Sequence, residues 1–278
     1  MSHVAVLTAS AGVGEEAASR LGALFGGAPK RLSGTAVEVS FSGGPSDDAA
    51  FPGLDLNIVP AEHREKRLLV ADMDSTMITV EGIDELADYA GVKAEVAQVT
   101  EAAMRGEMDF AEALNARVAQ LKGLKRAQLE ACYAERVEPT PGAAELLREM
   151  GARGATSALV SGGFTDFADR LAAELGFSFA RANKLAFAGD VLTGEVMPPI
   201  VTAETKVTTL KQLTTSMGLD PAETLAVGDG ANDRLMVEAA GLGVAYKGKP
   251  ALRAVADAVL DHSDLSAILA LQGISPAR

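Results

Sequence analysis

Leu68-Leu69-Val70-Ala71-Asp72-Met73-Asp74-Ser75-Thr76 runs from four apolar residues straight into acidic and hydroxyl residues. A short apolar run of this length, bounded by polar residues, predicts a strand buried on both faces. Two further strands end the same way. Leu159-Val160 leads into Ser161-Gly162-Gly163, and Ala226-Val227-Gly228 leads into Asp229-Gly230-Ala231-Asn232-Asp233. Gly243 to Ala245 and Ala258 to Leu260 supply more strand-like runs. Helical spacing fills the intervals at Gly142 to Met150, Phe167 to Leu175, Lys206 to Met217 and Arg234 to Ala239, and Pro141 after Thr140 suits a helix first turn. Strands separated by helices imply right-handed crossovers, hence an α/β fold with a doubly wound, mostly parallel sheet. Ligands of such sheets bind outside the carboxyl ends of the strands, so one crevice can receive all three polar segments.

Two regions depart from this rhythm. Between Ile83 and Glu135 only helical patterns occur, broken at Gly91, Gly106 and Gly123, which predicts a helical cap inserted after the first strand, over about residues 83–137. The first segment reads strand, helix, strand at Val4 to Thr8, Glu15 to Leu24 and Ala36 to Phe41, and Gly43 to Pro60 has the composition of a connection. The charged stretch at residues 60–66 marks a boundary. Residues 1–66 are therefore expected to be a small βαβ-like segment and linker, a candidate for regulation, and residues 67–278 the main domain.

The chain has 278 residues, is 48% hydrophobic and 23% charged, and so suits a globular protein rather than a disordered or fibrous one. Its net charge of −13 disfavours a nucleic-acid or anionic-membrane partner. The single cysteine, Cys132, cannot form an intramolecular disulfide and fits a reducing compartment. No apolar run approaches the ~20 residues that span a bilayer, and the Met1 end lacks a signal pattern. A cytoplasmic protein with a small-molecule substrate is the expectation; homo-oligomerisation is left open.

Charge counting narrows the crevice's ligand. Asp72, Asp74, Asp229 and Asp233 with Lys206 leave a net of about −3, which like charges at one site tolerate only with protons or a cation. Oxygen-only donors favour Mg²⁺, which shares carboxylates with phosphate oxygens. Lys206 adds a separate hint, because a cation early in a helix opposes the macrodipole and calls for a compensating anion.

In these four segments the chain resembles the phosphoserine phosphatases of the haloacid dehalogenase superfamily. Asp72-Met73-Asp74-Ser75-Thr76, Ser161-Gly162-Gly163, Lys206 and Gly228-Asp229-Gly230-Ala231-Asn232-Asp233 match that family's motifs in order and separation, over roughly residues 67–265. The resemblance implies a Rossmann-like core and a Mg²⁺-dependent hydrolysis of O-phospho-L-serine, the last step of serine biosynthesis. Asp72 would form an aspartyl-phosphate and Asp74 would act as general acid, then base. Mg²⁺ would sit on Asp72, Asp229 and the Asp74 carbonyl with Asp233 nearby. Lys206, Ser161, Gly162 and Asn232 would stabilise the transferring phosphoryl group. On the cap, Met108-Asp109-Phe110 followed by Leu114, Arg117 and Val118 matches the part that meets the substrate carboxylate, so Arg117 is implied as its partner. Glu81 falls where the family has an acid facing the substrate amine, and Met104 and Phe110 would shield the site.

Other readings of single features fail or weaken. Gly12-x-Gly14-x-x-Ala17 mimics a dinucleotide fingerprint, but the segment is too short for a Rossmann domain and reads as a tight turn. A calcium loop from Asp229 would need Glu at its twelfth position, where Ala240 stands. Cys132 is followed six residues later by Glu138 rather than an arginine, and His3, His63 and His262 lie outside every motif. A related phosphomonoesterase or phosphotransferase, and a phosphoserine-binding sensor without turnover, are the alternatives; a sensor has no need of both Asp72 and Asp74.

Overall fold

The computed structural model describes residues 2–42, 50–104 and 107–275, Met104 by its backbone alone. The first sheet has four strands, β1 (Ser2–Thr8), β2 (Lys30–Ser33), β3 (Ala36–Ser42) and β4 (Asp55–Pro60), in the order β2-β3-β1-β4, with helix α1 (Glu15–Phe25) after β1. The strand-helix-strand reading thus gains β2 and β4, and β1 pairs antiparallel with both β3 and β4. Strand β4 lies inside the stretch read as a connection. Its alternation of buried and half-buried residues is short and preceded by turn residues, which hid it.

The second sheet has seven strands: β5 (Leu68–Ala71), β6 (Thr156–Phe164), β7 (Phe179–Ala188), β8 (Val191–Met197), β9 (Thr224–Gly228), β10 (Gly243–Tyr246) and β11 (Ala258–Leu260). Their order is β11-β10-β9-β5-β6-β7-β8, parallel except for the antiparallel edge hairpin β7-β8. The mostly parallel α/β sheet expected from the sequence is thus present. Strands β5 and β9 are buried at every residue, as unbroken apolar runs in a sheet covered on both faces must be. Register then decides where the chemistry goes. Ala71 pairs with Leu159 on one side and Val227 on the other, so Asp72, Ser161 and Asp229 gather toward the carboxyl ends of neighbouring strands.

Four helices follow the first strand end: α2 (Gly82–Ala90), α3 (Lys93–Met104), α4 (Phe110–Gln120) and α5 (Arg126–Arg136). Gly91 and Gly123 punctuate them with φ of 74° and 97°, backbone that favours glycine; Gly106 lies outside the described residues. The cap is tied to the edge hairpin. The Gly123 N–H donates to the Leu192 carbonyl at 2.9 Å and the Leu192 N–H to the Leu124 carbonyl at 2.8 Å. Helices α6 (Ala143–Ala152), α7 (Thr165–Leu175), α8 (Ala203–Ser216) and α9 (Arg234–Ala239) complete the main layers. Cys132 is buried within α5, where burial pushes its thiol up to about 11, an inert core residue. Among the described residues, no helix is long and apolar enough to cross a membrane.

The two sheets meet edge to edge. The Asn57 side chain donates to the Val259 carbonyl at 3.0 Å and accepts from the Val259 N–H at 2.8 Å, so an amide supplies the pairing that a strand would give β11. The Asp55 carboxylate accepts the N–H groups of Asp261, His262 and Ser263 at 2.9–3.1 Å. Arg64 ties Glu38 at 2.8 Å to the carbonyls of Ala270 and Leu271. Because truncating Asn57 strips both partners from Val259, Asn57→Ala should lower the unfolding free energy by about 1–3 kcal/mol in urea titrations followed by circular dichroism.

Candidate active site

The chain reverses direction directly after β5. Asp72 is extended, and the backbone turns at Ser75, a non-glycine residue with φ of 53°. That turn sends two carboxylates, two residues apart, to different partners. The Asp72 Oδ1 accepts the Met73 N–H at 2.7 Å and lies 2.6 Å from Lys206 Nζ, while its Oδ2 faces the Asn232 amide at 3.4 Å. The Asp74 Oδ1 accepts the Gly82 N–H at 2.8 Å and its Oδ2 accepts the Ser161 hydroxyl at 3.2 Å.

Lys206, on the first turns of α8, is 1% exposed, and its Nζ also sits 2.7 Å from Asp233 Oδ1. These two carboxylates are the anions its helix position calls for. Burial alone would push the ammonium down, but Asp72 and Asp233 outweigh it and hold Lys206 charged. Asp233 in turn accepts the N–H groups of Asp229 and Gly230 at 3.2 and 3.1 Å, which closes the loop after β9.

Carboxylate oxygens of Asp72, Asp229 and Asp233 all lie within 4.8 Å of one another. Burial first, then the Asp233 charge, raises the Asp72 carboxyl; Asp229 is raised by burial too, with Asp233 and Glu81 adding to it. Oxygen-only donors crowded in this way fit a hard divalent cation, which would remove the mutual repulsion. The Asp74 carboxylate is outside this cluster, and burial and the Glu81 charge raise it to about 6 despite the Gly82 and Ser161 hydrogen bonds.

A cavity of about 240 Å³ opens over these groups. Asp72, Asp74, Asp229, Asn232 and Gly162 line it from the core, and Glu81, Phe110 and Arg117 line it from the cap side. Ser161, Lys206 and Asp233 stand behind that lining, buried and bonded to it. Burial lowers the Arg117 guanidinium, but Asp84, Glu81 and Asp74 support its charge. Glu81 is held by the Ser75 hydroxyl at 2.6 Å. The Phe110 ring covers Gly162 closely enough that a Cβ there would meet it at 3.2 Å. Met104 ends α3, and its side chain lies outside the described residues.

Among the cavity residues to which the sequence assigned no role, Lys249 and Gly163 bear on the carboxylates. Lys249 lies just beyond β10, another strand of the same sheet, so a cation at a strand's carboxyl end was the available signal. Gly163 is needed for space: a Cβ would lie 2.6 Å from Asp74 Oδ2 and 2.7 Å from Met73 Cε.

Fold and site together define a hydrolase of the haloacid dehalogenase-like family, and the chain belongs to it: residues 66–241 match that family. Relatives there include phosphoserine phosphatases. One from Archaeoglobus fulgidus is 47% identical over 215 residues, 77% of this chain and 62% of its own length. Another from Idiomarina loihiensis is 48% identical over 202 residues, 73% of this chain and 91% of its own. The solved phospho-aspartyl intermediate analogue of phosphoserine phosphatase is 38% identical with a TM-score of 0.68, covering 74% of this chain and 98% of that one.

Crowding at Gly163 sets a test of the site's geometry. Gly163→Ala should displace Asp74 and lower phosphatase kcat on the order of 100-fold, as misplacement by about 1 Å can. Gly151→Ala, a helix position with no atom within 4 Å of the added Cβ, should leave kcat unchanged. Equal rates for both variants in a phosphate-release assay would show that the Asp74 position tolerates displacement.

Proposed function

We propose that the protein hydrolyses O-phospho-L-serine to L-serine and phosphate through an aspartyl-phosphate on Asp72. The carrying observation is that Asp72, Asp74 and the pair Arg117 and Glu81 line one cavity. The phospho-aspartyl form solved for a relative supports the covalent route.

In the first step an Asp72 oxygen bonds to phosphorus as the bond from phosphorus to the serine oxygen breaks. Asp74 gives that oxygen its proton. Its carboxyl, raised to about 6 by burial and Glu81, retains a protonated fraction near neutrality. In the second step Asp74 takes a proton from water as the water oxygen bonds to phosphorus, and the Asp72 carboxylate leaves. Lys206, Ser161, Asn232 and the Gly162 N–H stabilise charge on the transferring oxygens, and position supplies most of the catalysis. Asp72, Asp229 and Asp233, with the Asp74 carbonyl, would hold Mg²⁺, which supplies positive charge against the phosphoryl oxygens. Arg117 takes the substrate carboxylate and Glu81 its ammonium, and Phe110 with Met104 shields the bound substrate from water. Residues 1–66 form the N-terminal domain and residues 67–278 the phosphatase domain with its cap at about 83–137. The setting is cytoplasmic, consistent with the lone buried thiol.

Stripping divalent cations with a chelator should stop phosphate release, and Mg²⁺ should restore it. Undiminished turnover in rigorously metal-free buffer contradicts the carboxylate assignment. Arg117→Ala should cost about 2–4 kcal/mol in kcat/KM for phosphoserine, as for one partner of a desolvated charge pair. An aryl phosphate lacking amino and carboxyl groups should lose far less. Equal losses on both substrates would place Arg117 in cap support rather than substrate recognition.

A further inference from the structure

The three clustered carboxylates are not held alike. Asp72 and Asp233 share the buried Lys206 ammonium, at 2.6 and 2.7 Å. Asp229 has no part in that grip. Among the described residues, the cation on its carboxylate is Lys249, whose Nζ lies 3.3 Å from Asp229 Oδ2. The same lysine holds Asp229 a second time, through a backbone N–H that donates to the Asp229 carbonyl at 2.8 Å.

Lys249 is itself fixed by the loop that carries it. The Lys247 N–H donates to the Leu260 carbonyl of β11 at 2.8 Å, and Lys247 adopts a φ of 45° that turns the chain back toward β9. Gly248 allows that return, since a Cβ there would lie 2.8 Å from the Ala245 Cβ.

We propose that Lys249 is a positioning residue for Asp229: it holds one carboxylate oxygen and so leaves the other directed to a divalent cation. The inference rests on the carboxylate cluster being the metal site of the proposed function. Two opposed effects decide its size. Deleting a cation near a metal site removes repulsion and favours binding, but the Lys249 side chain is 66% exposed, so salt and water screen that repulsion. Losing the partner that orients a ligating carboxylate has the larger effect, on the order of 10- to 100-fold in metal affinity. Orientation therefore wins, and the variant binds metal more weakly.

The test measures Mn²⁺ binding to the full chain without substrate, by electron paramagnetic resonance, with Mg²⁺ as competitor. For Lys249→Met, which keeps the backbone hydrogen bond, both dissociation constants should rise on the order of 10- to 100-fold. Lys249→Arg should restore most of that loss, and thermal unfolding in chelator should match the parent for both. Saturating Mg²⁺ should return to Lys249→Met most of the phosphate release that it loses at limiting Mg²⁺. Unchanged or tighter metal binding in Lys249→Met overturns the proposal, because the lysine would then act only as a charge. A raised phosphoserine KM with parental metal affinity also overturns it, making Lys249 a substrate contact. A parent protein that binds neither ion overturns the metal reading and this inference together, whereas normal binding in the parent isolates the failure to Lys249.

Discussion

A lysine ammonium almost fully removed from water, with a carboxylate on either side, is the constraint from which the rest of the site is arranged. Taking Lys206, Asp72 and Asp233 out of water costs several kcal/mol per ion, and only close, well-oriented contacts offset it. The contacts at 2.6 and 2.7 Å do so by joining three elements: the end of β5, the loop after β9 and the first turns of α8. Removing the lysine would leave two buried, unpaired carboxylates. Such a triad is weak evidence for stability in itself, since apolar residues could fill the same volume. What it does supply is a fixed positive charge beside Asp72, where the proposed mechanism puts the phosphoryl charge.

The core thus supplies the carboxylates of the site, and the cap side supplies the two groups that the proposed function gives to substrate recognition. Arg117 comes from α4 and Glu81 from the approach to α2, both facing the core carboxylates across one cavity. Helix α4 is seated by hydrogen bonds between the cap loop at Gly123 to Leu124 and the edge strand β8. At the opposite edge, β11 is covered by Asn57 and Asp55 from the small sheet. Both edges of the large sheet are therefore occupied, one by the cap and one by the N-terminal segment. Exposed edges invite pairing with other chains, and covering them is a common remedy.

What the sequence disclosed followed from how local each signal is. Leu68 to Ala71 reads as a buried strand because four residues suffice to show it, and the polar residues at three strand ends were legible for the same reason. The hairpin β7-β8 was not, since Phe179 to Met197 mixes charged, small and apolar residues and forms strands by pairing of β7 with β6 and with β8, whose far side meets the cap. Strand β4 likewise depends on β1 and on the edge of β11. Lys249 is the corresponding case within the site. Nothing beside it in sequence hints at Asp229, and only the return of the loop after β10 brings them together. Gly163 stands in the Ser161-Gly162-Gly163 motif, but the reason for a glycine there, an Asp74 oxygen where a Cβ would be, is visible only in the fold.

The two aspartates of Asp72-Met73-Asp74 show how identical side chains acquire different work. Extended residues two apart would point the same way, and both carboxylates would then share the Lys206 charge and crowd one cation. Met73, helical between the extended Asp72 and Asp74, breaks that alignment, and the left-handed backbone at Ser75 then folds the chain back, which brings the Gly82 N–H to Asp74 and leaves the Met73 N–H to Asp72. Asp72 lies against an ammonium that opposes the burial and the Asp233 charge raising its carboxyl. Asp74 is held by neutral donors beside the Glu81 carboxylate, surroundings that favour keeping a proton up to about pH 6. Under the proposed mechanism, in which Asp72 is the nucleophile and Asp74 the acid and base, the two carboxylates differ in the partners they hold: an ammonium and an amide for Asp72, a backbone N–H and a hydroxyl for Asp74. The assignment is therefore a property of the turn as much as of the two residues: a substitution that relaxed Ser75 would disturb the chemistry while leaving both carboxylates in the sequence.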